Sequence, residues 1–202
     1  MTSSSARTPS PSRWPFFTAA IGGVALGLGA VVLGAGFVIE GVVTGGGAGF
    51  SEAFALVTTA LMALGGLLLG VGWIGVAARG EAGFGPALGA LAVPVSIGVA
   101  IALEGQDAGT IMLRGLIQFV GLTLCAMGFT FGLGDGRLAR FGGTRFFAGL
   151  GFVGFGGIVW LFAKNIDAPV ALVMALCVAG FVGISALGFG IAAGLPSLAR
   201  DS

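Results

Sequence analysis

Two polar side chains, Arg114 and Gln118, stand one helical turn apart in an otherwise apolar stretch of this chain. An ionisable residue inside a membrane segment is a functional hypothesis by default, because its charge is costly there. The nearest candidate partners of Arg114 are Glu104 and Asp107, in the connection before it. On that interpretation the group lines an outward-facing polar cavity. The alternative, favoured because Arg114 lies close to the segment end, is that its side chain reaches the interface and anchors the helix.

Two further acids, Glu40 and Glu52, flank a glycine-rich connection between the first two apolar segments. Either carboxylate would suit the wall of an external vestibule, although solvation at the interface is the favoured explanation of both. The candidate polar site therefore comprises Arg114, Gln118, Glu104, Asp107, Glu40 and Glu52.

Little else in the sequence points to chemistry. The chain has no histidine, and its two cysteines, Cys125 and Cys177, are isolated within apolar segments, so we expect no metal and no other cofactor. The string 149–154 (GLGFVG) matches a dinucleotide-binding fingerprint, but no strand precedes it and helix packing explains its glycines. Serine, threonine and lysine form no nucleophile-and-base arrangement, so we expect no enzyme activity.

The elements that carry these residues are membrane spans. With 56% hydrophobic and 8% charged residues, the chain lies far from soluble composition, in which about a quarter of residues are charged. The apolar runs are continuous and about 20 residues long, which favours helices over a barrel. We predict an all-α membrane protein with six transmembrane helices, at about 16–43, 53–78, 84–103, 111–133, 146–163 and 168–194.

The flanking segments set the domain organisation and the orientation. One transmembrane domain, 16–194, follows a disordered cytoplasmic tail, 1–15, and precedes a cytoplasmic C-tail, 195–202. Seven basic residues fall on the side of the tails and two on the other side, so the positive-inside rule places both termini in the cytoplasm. The seven are Arg7, Arg13, Arg79, Arg137, Arg140, Arg145 and Arg200, and the two are Arg114 and Lys164. No basic patch suits nucleic acid.

The spans group into three N-in helical hairpins with signs of an internal repeat. The first helices share a Phe followed five residues later by Gly, at Phe17–Gly22, Phe84–Gly89 and Phe146–Gly151, and the second helices lead to Gly66, Gly121 and Gly180. Four glycine pairs with small-xxx-small spacing predict tight helix contacts, at Gly23 and Gly27, Gly66 and Gly70, Gly85 and Gly89, and Gly128 and Gly132. Trp73, like Trp14 and Trp160, lies near a span end, where interfacial indoles are expected.

The three-hairpin pattern resembles the HdeD family of small bacterial membrane proteins linked to acid resistance. The stretches that carry the resemblance are 101–109 (IALEGQDAG) leading to 121–128 (GLTLCAMG), and 162–169 (FAKNIDAP) leading to Gly180. The resemblance implies a multi-pass protein of the bacterial inner membrane that responds to envelope stress, and no catalytic motif comes with it.

Three functions follow as hypotheses. The first is a non-enzymatic integral membrane protein, structural or related to envelope stress, whose partners are the lipid bilayer, other membrane proteins or a second copy of itself. The second is a small-solute transport or channel component, with a polar cavity at Arg114 and Gln118. The third is an accessory subunit of a larger membrane complex, with its glycine-rich and Phe-rich faces as docking surfaces.

Overall fold

The computed structural model describes residues 13–43, 52–80, 82–105, 107–133 and 142–201. This part of the chain contains six α-helices, each long and apolar enough to cross a membrane. They are α1 (Trp14–Val43), α2 (Glu52–Ala77), α3 (Gly85–Ala102), α4 (Ala108–Gly132), α5 (Gly142–Ala163) and α6 (Val170–Asp201). The predicted all-α protein with six membrane-spanning helices is confirmed at this level. Residues 1–12, which carry most of the predicted disordered tail, lie outside the described residues.

Three helix ends differ from the predicted spans by three residues or more. Helix α4 begins three residues before position 111, and α5 begins four residues before position 146. Helix α6 continues to Asp201, so the segment predicted as a separate C-tail is helical as far as that residue. Hydropathy locates the edge of the apolar run, whereas a helix ends where its backbone hydrogen bonds stop, and nothing forces the two to coincide.

Helix packing follows chain order and closes into a ring. Among the described residues each helix packs against the preceding and the following helix, α6 returns to α1, and α4 and α6 also touch across the interior. Neighbouring helices run antiparallel: Gly75 near the end of α2 faces Pro15 at the start of α1, and Gly132 at the end of α4 faces Pro86 at the start of α3. The chain therefore forms an up-and-down ring of three hairpins.

The two ends of this ring differ in charge. We call the end that carries the start of α1 and the finish of α6 the proximal end, and the opposite end distal. The charged residues described at the proximal end of the bundle include Arg13, Arg79 and Arg145, whereas the distal connections carry Glu104, Asp107, Lys164 and Asp167. The Arg79 guanidinium lies 5.3 Å from the centre of the Phe16 ring, a cation–π contact that joins α1 and α2 at the proximal end.

Glycines allow the helix backbones to touch. The four pairs recognised by their spacing all lie at helix contacts: Gly23 and Gly27 against α6, Gly66 and Gly70 against α3, and Gly85 and Gly89 on α3 against α4, where Gly128 and Gly132 lie. A methyl group at Gly89 would lie 2.7 Å from the Leu124 carbonyl oxygen. Close backbone approach supplies the packing contacts that replace a hydrophobic driving force in lipid.

The glycines that suggest an internal repeat have equivalent contacts in the first helices of the hairpins but not in the second helices. Gly22 and Gly89 each face the second helix of their own hairpin, and Gly151 lies against Gly183 in the same way. In the second set, Gly66 instead faces Ala90 of the next hairpin. Pro94 has no N–H, so the Ala90 carbonyl lacks its usual hydrogen bond within α3. Gly66 brings α2 close to this carbonyl oxygen. The duplication itself stays a prediction.

Aromatic side chains fill the interior. Trp73, expected at the interface, is instead fully buried, packs edge to face on Phe129 at 5.0 Å, and donates its Nε1–H to the Gly83 carbonyl at 3.3 Å. That expectation is wrong, because closeness to a span end does not decide whether a side chain faces lipid or the bundle. Further along the axis Phe155 contacts Phe119 at 5.3 Å and Phe181 at 5.0 Å.

Candidate functional site

The distal connection between α3 and α4 is built around Asp107. Its carboxylate accepts the backbone N–H of Thr110 at 2.9 Å and the Thr110 hydroxyl at 2.6 Å, which makes it the N-cap of α4. The bond from the Thr110 hydroxyl, and to a smaller extent the bond from the Thr110 N–H, lower the pKa of Asp107. Glu104 lies exposed in the same connection. Asp107 therefore starts the helix that carries Arg114 and Gln118, and does not pair with Arg114.

Arg114 is half-buried and turns back toward the end of α3. Its guanidinium donates to the backbone carbonyl of Leu103, the residue that caps α3. A cation at a helix C-terminus satisfies a carbonyl left without a helical partner and complements the helix dipole. Its Nε is buried without a hydrogen-bond partner among the described residues. The contacts recorded in the described part of the chain join Arg114 to Leu103 and to neither Glu104 nor Asp107.

Gln118 faces a small cavity inside the ring. The cavity has a volume of about 20 Å³, and its lining comes from α1, α2, α3, α4 and α6. Gln118, Thr59 and Ser96 supply the polar groups, and Phe119 and Phe181 are among the apolar ones. The Ser96 hydroxyl donates to the Val93 carbonyl at 2.8 Å, so its oxygen can still accept a bond from the cavity. We call this space the central cavity.

The central cavity is large enough for one water molecule and for little more. A water needs at least about 10–15 Å³ of such space and two to four polar partners, and three are present here. Gln118 lies about 15 Å along α4 from its first residue, close to the middle of the span. An amide at that depth costs several kcal/mol if unbonded, and a bridging water would satisfy it.

Of the six predicted site residues, the structure describes the side chains of Arg114, Gln118, Glu104 and Asp107, and these four do not converge on one cavity. Arg114 and Gln118 share a helix, but Arg114 bonds the end of α3 whereas Gln118 lines the central cavity. Glu40 lies in the last turn of α1, Glu52 is the first residue of α2, and their side chains are outside the described residues. Arg114 occupies the position that the anchoring interpretation requires.

The described residues offer no cluster for a metal ion. No group of three or more His, Cys, Asp or Glu side chains converges in them. Cys125 and Cys177 are buried in α4 and α6 and are unpaired. The glycines of the string 149–154 lie within α5, where Gly154 meets the backbone of Gly180 and Gly151 contacts Ile184. Two of the three glycines of that string, Gly151 and Gly154, therefore pack α5 against α6.

A larger space, not anticipated from the sequence, lies on the outer surface of the ring. It is an open groove of about 610 Å³ between α1 and α6, which we call the α1–α6 groove. Its floor consists of buried residues, among them Ala30, Gly34 and Phe181, and its walls of exposed apolar ones, among them Ile39 and Val182. The signal in the sequence is the run of small residues in the second half of α1, which resembles the packed glycine faces elsewhere.

The groove contains no free polar side chain. Ser185 is the one hydroxyl residue in its lining, and its Oγ donates to the Phe181 carbonyl at 2.6 Å. The two spaces therefore differ: the central cavity has polar groups but little volume, and the α1–α6 groove has volume but no free polar side chain.

Comparison with known proteins gives no relative from which a function could be carried over. The chain matches no family model, no curated protein and no solved structure.

Proposed function

We propose that this chain is a non-enzymatic integral membrane protein that acts through contacts with lipid and with neighbouring membrane proteins. We further propose that it lies in a bacterial inner membrane with both termini in the cytoplasm. The arginines at the proximal end support that orientation. The resemblance to the HdeD family is the reason to look for its role in envelope stress.

One observation carries the proposal: the α1–α6 groove, of about 610 Å³, is apolar and open to the side, whereas the central cavity fits a single water. A transporter of this size would hold its substrate near the midplane in a site with polar ligands. Here Gln118, Thr59 and Ser96 line the central cavity, which is too small for a solute. A transport function would need the ring to open around Trp73 and the phenylalanines that fill it.

Solute flux is the direct test. The full-length protein is reconstituted into vesicles of phosphatidylethanolamine and phosphatidylglycerol, and uptake of glycerol, urea, protons and potassium is compared with protein-free vesicles. We expect equal rates in both, because the interior offers no continuous polar path. Flux above the protein-free level that falls on Gln118→Leu, but not on Trp160→Ala, would contradict the proposal and favour the transport component.

Purification in a mild detergent separates the accessory-subunit hypothesis. On our proposal the chain purifies without a fixed stoichiometric partner, and its fold is retained when it is isolated. Co-purification of one membrane complex at constant ratio, with loss of that complex's activity on depletion of this chain, would favour the accessory subunit.

A further inference from the structure

The α1–α6 groove lies entirely within the membrane-spanning part of both helices. The lining residues run from Ala30 to Ile39 on α1 and from Val178 to Phe189 on α6, inside the spans Trp14–Ile39 and Val170–Leu195. The hydrocarbon of the bilayer, and not water, is therefore what meets this groove.

The length of the groove matches one leaflet. From Ala30 to Ile39 the rise of an α-helix gives about 14 Å, and one leaflet of a typical hydrocarbon core is about 15 Å thick. On α1 the groove begins just past the middle of the span and continues to its distal end, whereas on α6 the lining, 178–189, lies on both sides of the middle of the span. A groove of this length can take a single acyl chain along it.

The width of the groove favours a lipid chain over a helix. About 610 Å³ over about 14 Å gives a mean cross-section of about 45 Å², roughly half that of an α-helix with its side chains. A transmembrane helix of another protein is too wide to enter the groove and could insert only one row of its side chains. A flexible hydrocarbon chain can follow the floor between the walls and make contacts along its whole length.

The chemistry of the lining fits the same occupant. The Ser185 hydroxyl donates to the Phe181 carbonyl, so no side-chain donor in the groove lining is left without an acceptor. Ala30 and Gly34 keep the floor low, and Val31 and Val182 stand at its sides with 44% and 49% of their surfaces exposed. This lining recognises methylene groups and has no means to select a headgroup.

We propose that the α1–α6 groove is a binding site for one acyl chain of a membrane lipid. The site deepens the proposed function, on which it rests, by naming lipid as the bound partner. A lipid held along the seam where the first and last helices meet would also cover the closure of the ring, since α1 and α6 are the pair that joins its two ends.

Photolabelling tests the site directly. The full-length protein is placed in phosphatidylethanolamine and phosphatidylglycerol vesicles that contain a phosphatidylcholine with a diazirine midway along one acyl chain, and labelled peptides are identified by mass spectrometry. We expect label to concentrate on the groove segments of α1 and α6 relative to other lipid-facing segments. The number of lipids retained per chain after detergent extraction is measured in parallel.

A matched pair of variants controls the experiment. Ala35→Phe places a ring in the groove from an exposed wall position, and Ala60→Phe makes the same change at an exposed position of α2 that lies outside the groove lining. We expect Ala35→Phe to lower groove labelling and the retained lipid by about tenfold, and Ala60→Phe to leave both unchanged. Helical circular dichroism checks that both variants fold.

Three outcomes would overturn the proposal: uniform labelling over all lipid-facing segments, equal loss in both variants, or a wild-type dimer that Ala35→Phe dissociates. The last result would assign the groove to a second copy of the chain. Because solute flux is measured separately, a failure of the lipid site with no flux leaves the proposed function in place. Flux sensitive to Gln118→Leu would overturn the proposed function whatever the labelling shows.

Discussion

The central cavity and the α1–α6 groove are opposites in size and chemistry. The first holds about 20 Å³ and is lined in part by Gln118, Thr59 and Ser96, and the second holds about 610 Å³ with its one hydroxyl already bonded. In a protein that moves solutes the larger space would be the polar one. Here the larger space is apolar and opens sideways, so the difference points to a protein that meets its surroundings through apolar contact.

Glycine and aromatic packing produces this difference. Between hairpin partners the backbones approach until no side chain fits, and Trp73, Phe129 and Phe155 fill the space that remains inside the ring. At the α1–α6 seam Ala30 and Gly34 of α1 are buried, and a Cβ at Gly34 would lie 2.7 Å from the Phe181 Cβ of α6, so these small residues form the floor of the groove. The same residue types therefore close the interior and form the groove floor.

Removing Trp73 should have the largest effect, because it breaks the filled interior. Trp73→Ala deletes a fully buried indole that packs on Phe129, and we expect a loss of about 3–5 kcal/mol in the free energy of unfolding. The matched control is Trp160→Ala, at a site 56% exposed, where we expect almost no change. Denaturation in mixed micelles measures both, and similar losses in the two variants would contradict a filled interior.

A single methyl group tests the backbone contact between α5 and α6. A Cβ at Gly154 would meet the backbone of Gly180, whereas one at Gly149 would meet none of the described residues within 4 Å. We expect Gly154→Ala to cost about 3 kcal/mol through overpacking. Gly149→Ala should stabilise the same helix by up to about 1 kcal/mol through its better helix propensity. If both variants unfold alike, the close approach of α5 and α6 is wrong.

The sequence predicts the spans well because hydropathy acts along the chain, and it predicts facing poorly because lipid and interior are equally apolar. The four glycine pairs show close contacts at their expected spacing, yet the same composition gave no sign of which faces stay open. The position of Trp73 near a span end predicts an interfacial indole, whereas its side chain is buried in the bundle. A helical hydrophobic pattern that is apolar all round cannot separate these cases.

The candidate site shows the same limit at the level of single residues. Spacing places Arg114 and Gln118 on one face of α4, as expected for residues four apart. Both meet α3, but at different levels: Arg114 bonds the Leu103 carbonyl at its end, and Gln118 lines the central cavity beside Ser96 and Ile97. Residue spacing predicts the helix face from which a side chain projects. The position of the Arg114 guanidinium depends in addition on the end of the neighbouring helix α3, which spacing within α4 does not reveal.

Substitutions of Arg114 test whether its charge at the end of α3 stabilises the protein. Arg114→Ala removes the charge-assisted bond to the Leu103 carbonyl, and we expect a loss of about 2 kcal/mol in the free energy of unfolding. Arg114→Lys keeps a cation near the end of α3 and should retain most of that stability. If Arg114→Lys loses as much as Arg114→Ala, planar guanidinium contacts, and not charge at the helix end, explain the residue.

The smallest expected effect concerns Asp107, which lies outside both the cavity and the groove. Its bonds from Thr110 lower its pKa in the folded protein, so its contribution to stability is present above the unfolded pKa of about 3.9 and is lost as the pH falls through the folded value. Asp107→Asn should remove this dependence, while Glu104→Gln, at an exposed neighbour, should preserve it. Thermal unfolding from about pH 6 to about pH 3 measures the difference. An identical acid-induced loss in wild type and Asp107→Asn would show that the cap of α4 does not depend on the carboxylate charge.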